Sequence, residues 1–162
     1  MTDLALPARC QYVIAEMTAP STAAIIKVLG GEAAGVRPPT SVQGLEKLIR
    51  EGLPFASLEA VRSRLRLTSQ EVSAILRLSP RTLARRKLQQ RLSPVESDRL
   101  VRLVRVLTRA RAVLGQEGSA MTWMRTPNRA LGGRMPLTLV NTDLGTLQVE
   151  QVLGRIEHGV LS

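Results

Sequence analysis

The chain has 162 residues, 44% of them apolar and 22% charged, which is long enough for one domain or two small ones around a true core. No apolar run nears the roughly 20 residues a bilayer span needs. One cysteine, Cys10, excludes an internal disulfide, and one histidine, His158, leaves too few ligands for a structural zinc. Against 13 Asp and Glu stand 23 Lys and Arg, a net charge of +10 that favours a polyanionic partner such as nucleic acid.

The first twenty residues carry Asp3 and Glu16 and no continuous apolar stretch, unlike a secretory signal, so a cytoplasmic protein is expected. Ile25, Ile26, Val28 and Leu29 before Gly30 predict a short helix, and Gly35-Val36-Arg37-Pro38-Pro39 reads as a loop closing an N-terminal segment of residues 1–40. A second helix is expected over Val42, Leu45, Leu48 and Ile49, between Ser41 and Gly52. A third is expected to be capped by Ser57, with Leu58, Val61 and Leu65 on one face. Thr68-Ser69-Gln70-Glu71 has the spacing of a capping box and starts a helix whose buried face is Val72, Ile75 and Leu76. Three residues, Arg77-Leu78-Ser79, separate it from a helix running from Pro80 to about Gln90. Ser93-Pro94-Val95-Glu96 opens a long helix through Leu100, Leu103, Val104, Leu107 and Leu114 that ends at Gly115, and a last helix runs from Leu144 to Glu157. Alternating β-branched runs with hairpin turns are absent, so the fold class is mainly α.

Charge divides the chain. Arg62 to Arg111 holds fourteen basic residues against Glu71, Glu96 and Asp98, whereas Ser119 to Ser162 holds four arginines against three carboxylates. The shift falls near Gly115-Gln116-Glu117-Gly118 and predicts a basic domain over 41–117 followed by a nearly neutral one over 118–162. Two short helices around a three-residue turn, the second rich in arginine, form a helix-turn-helix in which the first braces the DNA backbone and the second enters the major groove. The second helix is expected to pack Leu83, Ala84 and Leu88 inward and to present Arg81, Thr82, Arg85, Arg86 and Lys87. Arg81 and Arg85 would read guanine edges and Thr82 a thymine methyl or a phosphate, while Arg86, Lys87 and Arg91 would meet phosphates. Arg99, Arg102, Arg105 and Arg109 follow the polar side of the long helix, as a solvated face or as further phosphate contacts.

After Gly118 come Trp123-x-x-x-Pro127-Asn128-x-Ala130-Leu131-Gly132-Gly133-x-x-Pro136-Leu137 and a Gly159-Val160-Leu161-Ser162 ending. This string resembles the toxin-binding domain of antitoxins in the Xre/MbcA/ParS family, partners of RES-domain toxins, over about the last forty-five residues. Leu67 to Arg91 is similar to that family's Xre-like DNA-binding part. The resemblance implies a type II antitoxin that neutralises an NAD-consuming or ADP-ribosylating RES toxin by occluding its active site with the C-terminal end. It also implies repression of its own operon through promoter DNA. Carried over residue by residue, the toxin-binding set is Leu153, Arg155, Ile156, His158, Gly159, Val160, Leu161 and Ser162. Leu161 stands where an aromatic residue is equally common, and Glu157 or the Ser162 carboxylate is added as a mimic of nucleotide phosphate.

Trp123, Met121 and Met124 read as core, and Pro127, Gly132, Gly133 and Pro136 as turn formers. With one histidine, no nucleophile motif and no phosphate loop, no catalyst and no cofactor is expected. The expected partners are a cognate RES toxin and operator DNA, with a homodimer doubling the reading length. The rival reading is a stand-alone helix-turn-helix regulator whose C-terminal module dimerises.

Overall fold

A computed structural model describes residues 20–37, 39 and 41–159, and these form nine α-helices and two short 3-10 turns. The helices are α1 (Thr22–Val28), α2 (Val42–Glu51), α3 (Phe55–Leu65), α4 (Ser69–Leu76), α5 (Pro80–Gln89), α6 (Pro94–Leu114), α7 (Glu117–Arg125), α8 (Pro136–Leu139) and α9 (Asp143–Glu157). The 3-10 turns are Gly31–Ala34 and Arg129–Leu131.

Hydroxyl caps start most of them. Ser21, Ser41, Thr68, Ser79, Ser93 and Thr142 each accept a backbone N–H of the first turn, satisfying donors that a helix leaves open. The expected cap at Ser57 is not one of these. α3 begins two residues earlier, at Phe55, because Pro54 is extended (φ −55, ψ 143) and the flanking backbone is clasped. Leu92 N donates to Leu53 O at 2.9 Å and Phe55 N to Gln90 O at 3.0 Å. Ser57 is then buried within the helix, and its Oγ has no hydrogen-bond partner among the described residues. The clasp brings Leu92 O so close to Gly52 that a Cβ there would sit 2.2 Å away. Gly52 also has φ +83, so glycine is required on both counts.

The hub is α6, a 21-residue helix of about 31 Å. It packs against α1, α2, α4, α7 and α9, and its Leu100, Leu103, Val104, Val106, Leu107 and Ala110 are fully buried. Each such Leu or Val contributes about 1.5–3 kcal/mol of burial. Val28, Leu29, Leu58, Val61, Val72, Ile75 and Leu76 belong to the same continuous core as this helix, and so do Met121, Met124, Leu137, Val149, Val152 and Leu153. The glycines at 115 and 118 thus bound a turn at the expected place, while the core continues through it without interruption. Trp123 is half-buried against this core, beside buried Met121 and Met124.

Between α7 and α8 the Pro127-to-Gly133 string folds into a tight loop. Asn128 Oδ1 accepts Ala130 N at 2.9 Å, Gly133 N donates to Asn128 O at 2.9 Å, and Gly132 and Gly133 are both left-handed.

Gly145 supplies a sharp check of how α9 is seated, since a Cβ there would lie 2.1 Å from Leu139 O, whereas one at Gly118 would meet nothing within 4 Å. Gly145→Ala is expected to cost about 1–3 kcal/mol or more through overpacking. Gly118→Ala should be neutral or gain up to about 1 kcal/mol of helix propensity. Urea unfolding of both variants measures the difference.

Candidate functional site

The turn between α4 and α5 is built from its caps. Thr68 Oγ1 accepts Glu71 N at 3.1 Å and Thr68 N donates to Glu71 Oε2 at 2.7 Å, which completes the expected capping box of α4. α4 ends at Arg77 in the left-handed region (φ 53), with Leu78 N donating to Ser73 O at 2.9 Å. Ser79 then opens α5, its Oγ accepting Thr82 N at 3.1 Å with Pro80 at the first helical position. Arg81 and Arg85 stand exposed one turn apart. Thr82 is half-buried with its hydroxyl 3.0 Å from Ser79 Oγ. Lys87 is exposed, its Nζ 3.8 Å from Glu59, and Arg91 is exposed while Nη1 donates to Glu51 O at 2.9 Å.

Arg86 differs from the expectation that it meets phosphate. Its Nε lies 2.9 Å from Glu96 Oε1 and 2.8 Å from Oε2, and Nη1 donates to Gln89 Oε1 at 2.8 Å. The two paired side chains are 20% and 5% exposed, so this guanidinium is engaged with the protein and turned away from any ligand outside. The inward packing expected of α5 holds for Leu83 and is corrected for Ala84 and Leu88. No residue of α5 is buried, Leu83 is partly covered, Ala84 is exposed and Leu88 is 86% exposed. The helix stands off the body, over a cavity of about 210 Å³ lined by Phe55, Leu58, Val72, Leu83 and neighbours.

Of the four α6 arginines expected along its polar side, Arg109 is buried, Arg99 and Arg102 are partly covered and Arg105 is 45% exposed, and each has a partner within the protein. Arg99 Nη1 donates to Leu76 O at 2.7 Å, bracing the end of α4. Arg102 pairs with Asp98 and, at 2.8 Å, with Asp143. Arg105 pairs with Glu150 at 3.1 Å and buried Arg109 with Glu157 at 3.4 Å. Asp143, Glu150 and Glu157 are the three carboxylate side chains after Ser119, and each meets an α6 arginine. Two further pairs cross the same seam: Arg64 with Glu117 at 2.7 Å, and Arg125 with Glu71 at 2.8 Å. These partnerships were missed in the sequence, although heptad spacing of 143, 150 and 157 opposite 102, 105 and 109 carried a signal for them.

At the C-terminal end, Leu153, carried over as a toxin-binding residue, is fully buried and belongs to the core, which leaves it no surface for direct contact. α9 turns its apolar face onto α6, and position 153 lies on that face. Ile156 is half-buried against the same core, whereas Arg155 and His158 are exposed. Glu157 already faces Arg109, so its carboxylate is partly engaged as an ion-pair partner within the protein. Gly159 is left-handed (φ 66) and its N–H donates to Ile156 O at 3.1 Å, which terminates α9. Val160, Leu161 and Ser162 lie outside the described residues. Among the described residues no group of His, Cys, Asp or Glu is placed to hold a metal ion, and no helix is long and apolar enough to cross a membrane.

Two family models match the chain. Residues 44–105 match the antitoxin Xre-like helix-turn-helix domain, and residues 109–159 match the antitoxin Xre/MbcA/ParS C-terminal toxin-binding domain. The chain is 35% identical over 116 residues to an antitoxin Xre of Yersinia enterocolitica, covering 70% of this chain and 78% of that one. It is 31% identical over 127 residues to an antitoxin Xre of Photorhabdus laumondii, covering 77% and 86%. A chain in the crystal structure of the MbcT-MbcA toxin-antitoxin complex of M. tuberculosis superimposes with a TM-score of 0.50 at 30% identity, covering 67% of this chain and 96% of that one.

The seam between the two parts has a pH signature. Hydrogen bonds from Arg125 hold the Glu71 carboxyl below its ordinary value, against an opposing desolvation penalty, and those from Arg64 do the same for Glu117. A depressed folded-state pKa contributes stability that is complete above the unfolded value and is lost as pH falls through the folded one. The protein is therefore expected to lose stability on acidification from about pH 5 to pH 3. Glu71→Gln with Glu117→Gln should flatten that acid limb, since glutamine still serves the α4 capping box but carries no charge. Denaturant midpoints across this range check it, and equal slopes for wild type and variant would count against the seam.

Proposed function

The chain belongs to the Xre antitoxin family, and on that premise we propose that it neutralises a RES-domain toxin with its C-terminal end and represses its own operon through α5. It is an antitoxin with a helix-turn-helix domain and a toxin-binding domain. The RES class, the occlusion of the toxin's active site and the self-repression are the finer reading. The observation that carries this reading is the match of residues 109–159 to a toxin-binding domain in a chain that also presents an exposed pair of arginines on a capped helix.

On the DNA side, Arg81 and Arg85 follow the Ser79-Pro80 cap and read base edges in the major groove, with Thr82 at a phosphate or methyl. Lys87 and Arg91 meet the phosphates of the same groove. A homodimer places two such helices on a symmetric operator, because one short helix reads few base pairs.

On the toxin side, α9 stops at left-handed Gly159, and the chain that follows enters the toxin's active-site entrance. Arg155, His158 and Ile156 border that contact, while Val160, Leu161 and Ser162 carry it into the cleft. Leu153 acts from beneath, holding α9 on α6. Toxin and promoter DNA both being cytoplasmic, the protein acts in that compartment.

The test is co-expression with the toxin gene of its own operon. The full chain is expected to restore growth, and a chain lacking residues 159–162 is expected to fail while keeping the wild-type unfolding midpoint and promoter binding. Equal rescue by the shortened chain would overturn active-site occlusion by the tail, and binding to promoter without any effect on toxin would favour the stand-alone regulator.

A further inference from the structure

We propose that Arg86 is a positioning residue for base reading: through Glu96 it sets the rotation of α5 about its own axis, and so the direction in which Arg81 and Arg85 leave the helix. The proposal rests on the reading of α5 as the DNA-reading helix and adds to it a determinant of specificity that touches no DNA.

The need for such a determinant follows from how little else holds α5. No residue of α5 is fully buried, Leu83 is its one apolar side chain packed on the core, and an open groove of about 210 Å³ runs along its inner side, so packing supplies few contacts that would resist a turn of the helix. Its two ends are tied, by the Ser79 cap at the start and by the Leu53–Leu92 and Phe55–Gln90 backbone bonds just beyond its close. Ties at the ends locate a helix but leave its rotation soft.

Between those ends Arg86 makes the well-covered polar contact to the body. Both Glu96 oxygens lie within 2.9 Å of its Nε, and Glu96 cannot move with it, because Glu96 Oε2 also accepts Ser93 N at 2.7 Å in the capping box of α6. The carboxylate is thus anchored to the hub of the fold and the guanidinium to α5. The other ion pair from α5, Lys87 with Glu59, is 3.8 Å long and solvent-exposed, which is worth little. Residues 81 and 85 share a helix face and residue 86 projects about 100° away from 85, so fixing 86 fixes the pair. Bidentate contacts to guanine demand that direction, whereas phosphate contacts tolerate a swing.

Glu96→Gln separates this role from the alternatives. Glutamine retains the Ser93 capping box but withdraws the charge that holds Arg86. The probes are a duplex from the promoter of its own operon and a scrambled duplex of equal length and composition, titrated with full-length protein at several salt concentrations. The wild type is expected to prefer the promoter duplex. In Glu96→Gln that preference should fall about tenfold, within the range of couplings seen for contacting residues, while binding to scrambled DNA stays equal or rises with the added net charge. Arg86→Lys, which retains charge but not the planar fork, should lose the preference in the same way.

If Arg86 instead serves phosphate, releasing it will strengthen binding to both duplexes alike with the preference intact, and the proposal fails. A merely structural role also overturns it, and reads as a lowered unfolding midpoint with wild-type preference per active molecule. If the wild type itself shows no preference, the DNA-reading assignment of α5 fails, and the positioning role falls with it.

Discussion

Burial of α6 by five other helices dictates what the arginines along it can do. A helix covered on so many sides has little surface left for a ligand, yet α6 carries Arg99, Arg102, Arg105 and Arg109. Each finds a partner within the fold, a helix-end carbonyl for Arg99 and carboxylates for the others. Most of the holding energy is apolar, since each buried Leu or Val of the hub contributes about 1.5–3 kcal/mol while an exposed ion pair contributes about 0–1 kcal/mol. The ion pairs specify instead how α9 lies on α6, because a shift of one residue would separate every carboxylate from its arginine.

Pairing within the fold engages part of the chain's positive charge. Arg102, Arg105 and Arg109 of α6 meet carboxylates of α9, and Arg64, Arg86 and Arg125 pair with Glu117, Glu96 and Glu71. Arg77, Arg81, Arg85 and Lys87 are exposed at the turn from α4 to α5 and along α5, and further exposed cations, among them Lys27, Lys47, Arg129 and Arg155, lie on other elements. The helix-turn-helix domain and the toxin-binding domain share the hub, since α4 and α9 both pack on α6.

Much of this was legible in the sequence because caps are local. Thr68 and Ser93 open helices where their spacing to Glu71 and Glu96 says they should, Ser41 and Ser79 open helices just ahead of Val42 and Pro80, and Gly115 stops the long helix. The terminal pattern from Trp123 to Gly159 pointed to the family for the same reason, being a run of turn formers in order. The errors are tertiary. Ser57 was overridden by the Leu53–Leu92 clasp, and Ala84 and Leu88 were assigned inward by a helical period that carries no knowledge of how far α5 stands from the body. Arg86 and Arg105 have neighbours of like charge in sequence, and their carboxylates arrive from ten and forty-five residues away. Charge density along a sequence does not distinguish an arginine that will be paired from one that will be presented.

That distinction is the centre of the account, and the salt dependence of promoter binding reads it directly. Arg105 is the most exposed member of the α6 row, at 45%, and so the one best placed to contradict it. Wild type, Lys87→Gln and Arg105→Gln would be compared by the slope of log Kd against log salt concentration. A shallower slope by about one for Lys87→Gln, with Arg105→Gln matching wild type, is the predicted result. An equal loss of slope in both variants would mean that α6 grips DNA after all, and that the pairing with α9 does not govern its charge.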